Sequence, residues 1–282
     1  MGQKEAFKNI ENLPLADNHP KLVETHKQTA LFINNFRAGF KNFFNAYTAE
    51  REPSVKIEPA KMEQFKAMQK SNLNLQSFSD CIQAYTCLHT TDYHACAING
   101  IFGMFISCGG MLLLSLSLGK PFRAGIEVDW GTVLENGEVY GPVMYKAYEL
   151  ENKIAEYPRI VIGPEILNYL GNLKNGIPQF SGQEQIDIEY CKNLANKCSK
   201  MVIRDIDGVL ILDYLSKEFI DSIIHGSKDD VDYKDMFNKA LQFVESEYKK
   251  RKQMNDRKLA LRYYMLLNYL KVNNPFNKPT ST

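Results

Sequence analysis

The stretch that decides the fold is residues 139–163, VYGPVMYKAYELENKIAEYPRIVIG. Gly141-Pro142 ends an extended segment and begins a helix, because proline is well tolerated in the first helical turn. Tyr157-Pro158 ends that helix. The segment at residues 160–162 is short and apolar, as is typical of a buried strand. The stretch therefore predicts a turn, an amphipathic helix and a strand in direct succession.

Three neighbouring segments predict extended structure. FRAGIEVDW at 122–130 alternates apolar and polar residues, which indicates a half-buried strand. Residues 73–86 predict a hairpin that turns at Ser79-Asp80, and residues 200–212 predict another that turns at Asp207-Gly208.

Apolar residues three and four apart predict helices at 20–49, 59–70 and 232–274, and a short helix follows residue 164. Residues 171–199 are polar and predict irregular structure with possible helical turns. This order of elements is typical of an α+β fold, with helices over one face of a mostly antiparallel sheet.

Residues 95–119, ACAINGIFGMFISCGGMLLLSLSLG, contain no charged residue and are nearly long enough to span a bilayer. Asn99, five glycines and three serines reduce the apolarity, and a helix buried on all sides within a protein gives the same pattern. We expect the buried helix and no membrane partner, with the membrane span as the alternative.

Bulk composition excludes several classes of protein. The 282 residues carry 34 basic and 33 acidic side chains, so no overall charge favours a nucleic-acid partner. The six cysteines form no CxxC pair and lie mostly in apolar runs, which indicates reduced thiols. The first residues lack the apolar core of a secretory signal, and we expect a cytoplasmic protein.

Three stretches resemble the class III nucleotide cyclases, specifically the small bacterial group that includes pyrimidine cyclases of antiphage signalling. SFSD at 77–80 resembles that group's hairpin with its metal-binding aspartate, and PFRAGIEVDWG at 121–131 resembles its Arg-x-Gly-Ile strand. VYGPVMYKAYELE at 139–151 is similar to its Tyr-Gly-Pro turn and helix, and YPRIVIG completes the likeness.

The resemblance implies a ferredoxin-like, cyclase-type antiparallel sheet over residues 1–170, with residues 171–282 as a hairpin and helical extension packed on it. It also implies a chemistry. Two aspartates hold two Mg²⁺ or Mn²⁺ ions on a nucleoside triphosphate, and the ribose 3′-hydroxyl attacks the α-phosphorus as pyrophosphate leaves. An Asn and an Arg from the partner subunit's helix complete the site, which implies a homodimer.

Carried over by position, the resemblance makes Asp80 the second metal aspartate. The first belongs to an amino-terminal strand that we do not find, because Pro14 and a helix-capping context at 16–20 make Asp17 part of a poor strand and a poor ligand. The ribose-orienting Asn falls on Tyr145 and the transition-state Arg falls on Glu149. Tyr145, Lys146 and Glu149 are thus the candidate nucleotide-contacting residues.

Four nearby residues could replace the missing groups. Glu127 or Asp129 could complete a metal pair with Asp80, and Arg123 or Arg159 could supply the positive charge. The alternative for each is an exposed, paired surface charge.

The sequence therefore predicts a class III cyclase homologue that is catalytically degenerate and acts as a nucleotide-binding or regulatory dimer. The alternative is an active cyclase, for example a pyrimidine cyclase, that makes a 3′,5′-cyclic nucleotide and pyrophosphate in bacterial signalling or antiviral defence. A carboxylate at the position of a catalytic cation opposes phosphoryl chemistry and favours the first reading.

Two weaker patterns could bind metals. Cys87, His89, His94 and Cys96 are ligand types that zinc accepts, but their spacing matches no zinc module, and ordinary packing is favoured. Asp205-x-Asp207-Gly208 resembles the start of a calcium loop without its downstream Glu, and a hairpin turn explains it better.

Overall fold

The computed structural model describes residues 20–48, 57–78, 81–89, 94–135, 137–226 and 232–276, and it is an α+β protein. The helices are α1 (Pro20–Tyr47), α2 (Met62–Gln69, after a 3₁₀ turn at Pro59–Lys61), α3 (Ile98–Ser117), α4 (Pro142–Glu149, continued by a π turn at Leu150–Ile154), α5 (Pro164–Lys174), α6 (Gln185–Ser199), α7 (Lys217–Gly226), α8 (Tyr233–Gln253) and α9 (Arg257–Val272). The strands are β1 (Leu73–Phe78), β2 (Cys81–Thr86), β3 (Ala124–Ile126), β4 (Thr132–Val133), β5 (Val139–Tyr140), β6 (Ile160–Ile162), β7 (Val202–Arg204) and β8 (Leu210–Leu212).

The largest sheet has four strands in the order β3-β6-β8-β7. β3 and β6 are parallel, whereas β6–β8 and β7–β8 are antiparallel. Two of the three pairings are antiparallel, as predicted, and the one parallel pair makes the sheet mixed. The parallel pair arises because α4 lies in the connection between the two strands, and such a crossover returns the chain in the same direction.

The predicted hairpins at 73–86 and 200–212 form, and a further antiparallel pair joins β4 and β5. β1 and β2 pair antiparallel, as do β4 and β5, but among the described residues each is a two-stranded sheet of its own. β7 and β8 instead join the main sheet through Ile211, which pairs with Val161. That sheet therefore takes strands from both sides of residue 170.

The predicted strand at 122–130 is only three residues long, and its own acidic side chains explain this. Glu127 Oε1 accepts the N–H of Val128 at 2.9 Å, and Asp129 Oδ1 accepts the N–H of Trp130 at 2.7 Å. A side chain that bonds the next backbone N–H takes it away from a sheet ladder.

Helix α3 is long and apolar enough to cross a membrane, and 89% of its most apolar 18-residue window is buried inside the fold. Its one amide, Asn99, is fully bonded. Nδ2 donates to the carbonyls of Met68 (2.6 Å) and Cys96 (2.9 Å), and Oδ1 accepts from the Tyr190 hydroxyl at 2.8 Å. A buried amide bonded in this way avoids the cost of an unmade hydrogen bond.

Glycines let other elements approach α3 closely. A Cβ at Gly103 would lie 2.6 Å from Thr48, beside the end of α1, and a Cβ at Gly109 would lie 2.5 Å from the Phe219 ring in α7. Both distances are shorter than real contacts. The glycines that weaken the apolar run in the sequence thus serve helix packing.

Residues 171–199 were predicted to be irregular with possible helical turns, and the second half is instead a regular helix, α6, from Gln185 to Ser199. The buried positions of α6 include Cys191, Leu194, Ala195 and Cys198. These have helical spacing, but three of them are small side chains, so the apolar pattern is weak. α7 was not assigned from the sequence.

We predict opposite effects for two glycine-to-alanine substitutions. In β3, a Cβ at Gly125 would lie 2.4 Å from the Ala147 carbonyl oxygen and 2.8 Å from the Glu151 backbone nitrogen, so Gly125→Ala should lower the free energy of unfolding by about 1–3 kcal/mol. In α5, a Cβ at Gly171 meets nothing within 4 Å, and Gly171→Ala should raise it by about 0.5–1 kcal/mol. Urea unfolding measures both. A neutral Gly125→Ala would contradict the packing of α4 on β3.

Candidate nucleotide site

The three stretches at 121–131, 139–151 and 157–163 form one local unit. β3 pairs with β6 in register from Ala124↔Ile160 to Ile126↔Ile162, and the Gly163 N–H donates to the Ile126 carbonyl at 2.9 Å. Helix α4 lies over β3, where a Cβ at Gly125 would be only 2.4 Å from the Ala147 carbonyl oxygen. The unit is compact enough that the charges on β3 and α4 can reach one another.

The turn before α4 depends on Gly141. Its φ of 137° lies in the region that favours glycine, and a Cβ there would lie 2.9 Å from the Trp130 carbonyl oxygen. That same carbonyl accepts the N–H of Val143 at 3.1 Å. The predicted role of Gly141-Pro142 in starting the helix is confirmed.

Glu127, a predicted metal ligand, lies at the N-terminus of α5. Its carboxylate occupies the space where Gly163 would carry a Cβ, 2.0 Å from Oε2, so only glycine fits there. Burial raises the pKa of Glu127, while backbone hydrogen bonds from Val128 and Ile166 act in the opposite direction. The backbone N–H groups of a helix start suit a carboxylate, and this accounts for the position of Glu127 without a metal.

Asp129, the other predicted ligand on this segment, forms an ion pair with Lys146 of α4. The hydrogen bond from Lys146 lowers the pKa of Asp129 and raises that of Lys146. The structure thus joins a predicted metal residue to a predicted nucleotide residue. Each neutralises the other.

The remaining candidates around α4 are also paired. Arg123 Nη2 lies 2.8 Å from Glu151 Oε1, and Glu149 Oε1 lies 2.5 Å from Lys153 Nζ one turn further along. Tyr145 is exposed on the same helix. Arg123 therefore fits the alternative of a paired surface charge, and Glu149, a candidate nucleotide-contacting residue, is paired as well.

Arg159, the second predicted catalytic cation, is buried. Nη1 lies 3.1 Å from Asp205 Oδ2, and Nη2 lies 2.8 Å from Asp207 Oδ2. Nη2 also donates to the Ile154 carbonyl at 2.8 Å, and the guanidinium lies over the Tyr157 ring at 4.2 Å. These contacts tie the end of the π turn to the β7–β8 turn.

Asp205 and Asp207 were not recognised as partners of Arg159. The sequence analysis placed them in a hairpin turn, which is confirmed: the Asp205 N–H donates to the Val209 carbonyl at 2.8 Å across that turn. Two acidic residues in a tight turn are a signal for a nearby cation, but nothing in the sequence identifies which one.

Asp80, the implied second metal aspartate, lies outside the described residues, and so does Asp17, which the sequence makes a poor ligand. The predicted pairing of Asp80 with Glu127 or Asp129 therefore remains a prediction. Comparisons of the chain with family models, with curated proteins and with solved structures found no match. The resemblance to class III cyclases rests on the motifs in the sequence.

The two arginines should differ sharply when each is replaced. Arg159→Met leaves the buried Asp205 carboxylate without its cation and should lower the free energy of unfolding by about 3–5 kcal/mol. Arg123→Met removes a half-exposed pair and should cost less than about 1 kcal/mol. Denaturant unfolding of both variants makes the comparison. Equal costs would contradict a structural role for Arg159.

Proposed function

We propose that this chain is a class III cyclase-like, cytoplasmic protein that binds a nucleoside triphosphate as a homodimer but does not cyclise it. One observation supports the loss of catalysis. Each candidate cation that the resemblance suggests is already paired with a carboxylate of the same chain: Arg123 with Glu151, Lys146 with Asp129, and Arg159 with Asp205 and Asp207.

Pairing matters because phosphoryl transfer is accelerated mainly by charges that are free to meet the developing negative charge. Arg159 would have to leave a buried carboxylate before it could act, which is costly, whereas Lys146 lies at the surface and can change partners. Glu149, at the position of the family's transition-state arginine, adds a negative charge at the place where a positive one is needed. Lys153, one turn further along, is paired with Glu149 and so supplies no free positive charge there.

Nucleotide binding is supported by the exposed face of α4. Tyr145 and Tyr148 are both exposed and lie three residues apart, so they share one side of the helix. An exposed tyrosine ring offers a stacking surface for a base of any identity. Lys146 lies between them in sequence and could exchange Asp129 for a phosphate.

Exposed aromatic and apolar side chains around the same helix support a homodimer. Trp130 is 85% exposed and Tyr140 is 73% exposed, and both adjoin the start of α4. Val133, Leu134, Tyr145 and Tyr148 are also exposed. Large aromatic side chains grouped at a surface are typical of protein interfaces.

The catalytic part of the proposal has a direct assay. We expect the purified chain, incubated separately with ATP, GTP, CTP and UTP in Mn²⁺ and then in Mg²⁺, to release no pyrophosphate and to form no 3′,5′-cyclic nucleotide. Chromatography and mass spectrometry of the products measure both. A cyclic pyrimidine nucleotide would establish the alternative, an active cyclase.

A double substitution tests the dimer surface. Tyr140→Ser with Tyr148→Ser removes two exposed rings without touching the core, and we expect it to convert a dimer into a monomer in sedimentation velocity. Leu261→Ser on α9 is the matched control, because Leu261 is 60% exposed and Tyr148 is 58% exposed. A dimer that survives the double substitution, or a wild-type monomer, would refute this interface.

A further inference from the structure

A cluster of polar side chains lies away from the candidate nucleotide site, where the segment before α3 meets the start of α6. His94, Glu184 and Asp187 each offer a ligand atom, and these atoms all lie within 4.8 Å of one another. His94 Nδ1 is 3.1 Å from Asp187 Oδ2. Residues 93 positions apart in sequence are thus brought into direct contact.

The helix start fixes the two carboxylates. Glu184 is the N-cap of α6, and its carbonyl accepts the N–H groups of Asp187 (3.1 Å) and Ile188 (3.0 Å). Residues three apart lie on the same side of a helix, so both side chains face His94. Gln64 of α2 adds a second layer, with Nε2 3.2 Å from Glu184 Oε2 and 3.5 Å from His94 Nδ1.

The side chain of Asp187 is the observation that points to a ligand. It is fully buried, and its Oδ1 has no hydrogen-bond partner among the residues that the structure describes. A buried carboxylate oxygen without a partner is costly, and a single imidazole that contacts Oδ2 leaves this cost in place. A second carboxylate nearby, from Glu184, makes the need for positive charge greater.

The donor set indicates which cation. One imidazole nitrogen and two carboxylate oxygens suit a first-row divalent ion such as Zn²⁺, which commonly takes three protein ligands and keeps a position open for water. Glu184 is exposed and the His94 side chain is 33% exposed, so solvent can reach that position.

The neighbouring cysteines are not part of the set. Cys96 is buried, and its thiol donates to the backbone carbonyls of His94 at 3.7 Å and Asp187 at 3.9 Å rather than joining the three ligand atoms. Cys87 is exposed and outside the cluster, so of the four possible zinc ligands noted in CLHTTDYHAC only His94 belongs to it.

We propose that His94, Glu184 and Asp187 form a binding site for Zn²⁺, with Gln64 as the residue that orients two of the ligands. The ion would hold together α2, the segment before α3 and the start of α6. This proposal is independent of the proposed nucleotide function, because the two sites share no residue.

The test uses the full chain, freed of any affinity tag and treated with a chelator. Zn²⁺ titrated by calorimetry should bind with one ion per chain, and melting followed by circular dichroism should show that the ion raises the melting temperature. Asp187→Asn and His94→Gln, which keep the size and shape of each side chain close to the original, should each abolish the tight binding. Gln64→Met should weaken it by about 10- to 100-fold.

His26→Gln is the matched control, since His26 is exposed on α1 and outside the cluster. It should bind Zn²⁺ as the unsubstituted chain does. If Zn²⁺ fails to bind the unsubstituted chain, or binds Asp187→Asn and His94→Gln as tightly as His26→Gln, the site does not exist. Mn²⁺ titrated in parallel reports selectivity, and tighter binding of Mn²⁺ than of Zn²⁺ would overturn the assignment of the ion.

Discussion

The burial of α3 is the constraint on which the rest of the fold depends. An uncharged helix of 20 residues must be covered on all sides, and here α1, α6, α7 and α8 pack against it. Asn99 satisfies its amide with backbone carbonyls at the end of α2 and at the start of α3, and with Tyr190 in α6. The same junction positions His94 beside α6, so packing of the core helix creates the proposed zinc site.

The charged side chains of the candidate site are neutralised within the chain. The β3–α4–β6 unit carries several charged side chains, and those proposed for catalysis each have a partner of opposite sign. Arg159 differs from the other two cations because its pairs are buried and connect distant parts of the sheet. Its charge therefore belongs to the scaffold, whereas Lys146 lies at the surface, where exchange of partners costs little.

Strong local signals were predicted well from the sequence. The Gly141-Pro142 turn, the helix after it, the short strand at 160–162 and the hairpin at Asp207-Gly208 all form, because each depends on proline, glycine or an unbroken apolar period. α6 was missed because cysteine and alanine on its buried side give a weak pattern. The parallel pairing of β3 with β6 was missed because register between distant strands is set by tertiary packing.

Long-range polar contacts could not be predicted from the sequence, for the same reason. Nothing in the local pattern relates Arg159 to Asp205, or His94 to Asp187, since these pairs are separated by 46 and 93 residues. The motif around His94 drew attention to the correct histidine but to the wrong partners. Only the folded structure shows that His94 lies beside Glu184 and Asp187, at the start of another helix.

The most direct test of the account is a fluorescence titration. Trp130 is the only tryptophan in the chain and adjoins the start of α4, so its emission reports on that surface. With Mn²⁺ present and pyrophosphate monitored in the same sample, we predict a saturable change in emission on addition of a nucleoside triphosphate, without pyrophosphate release. No change with any of the four triphosphates, or pyrophosphate released as the signal develops, would contradict it.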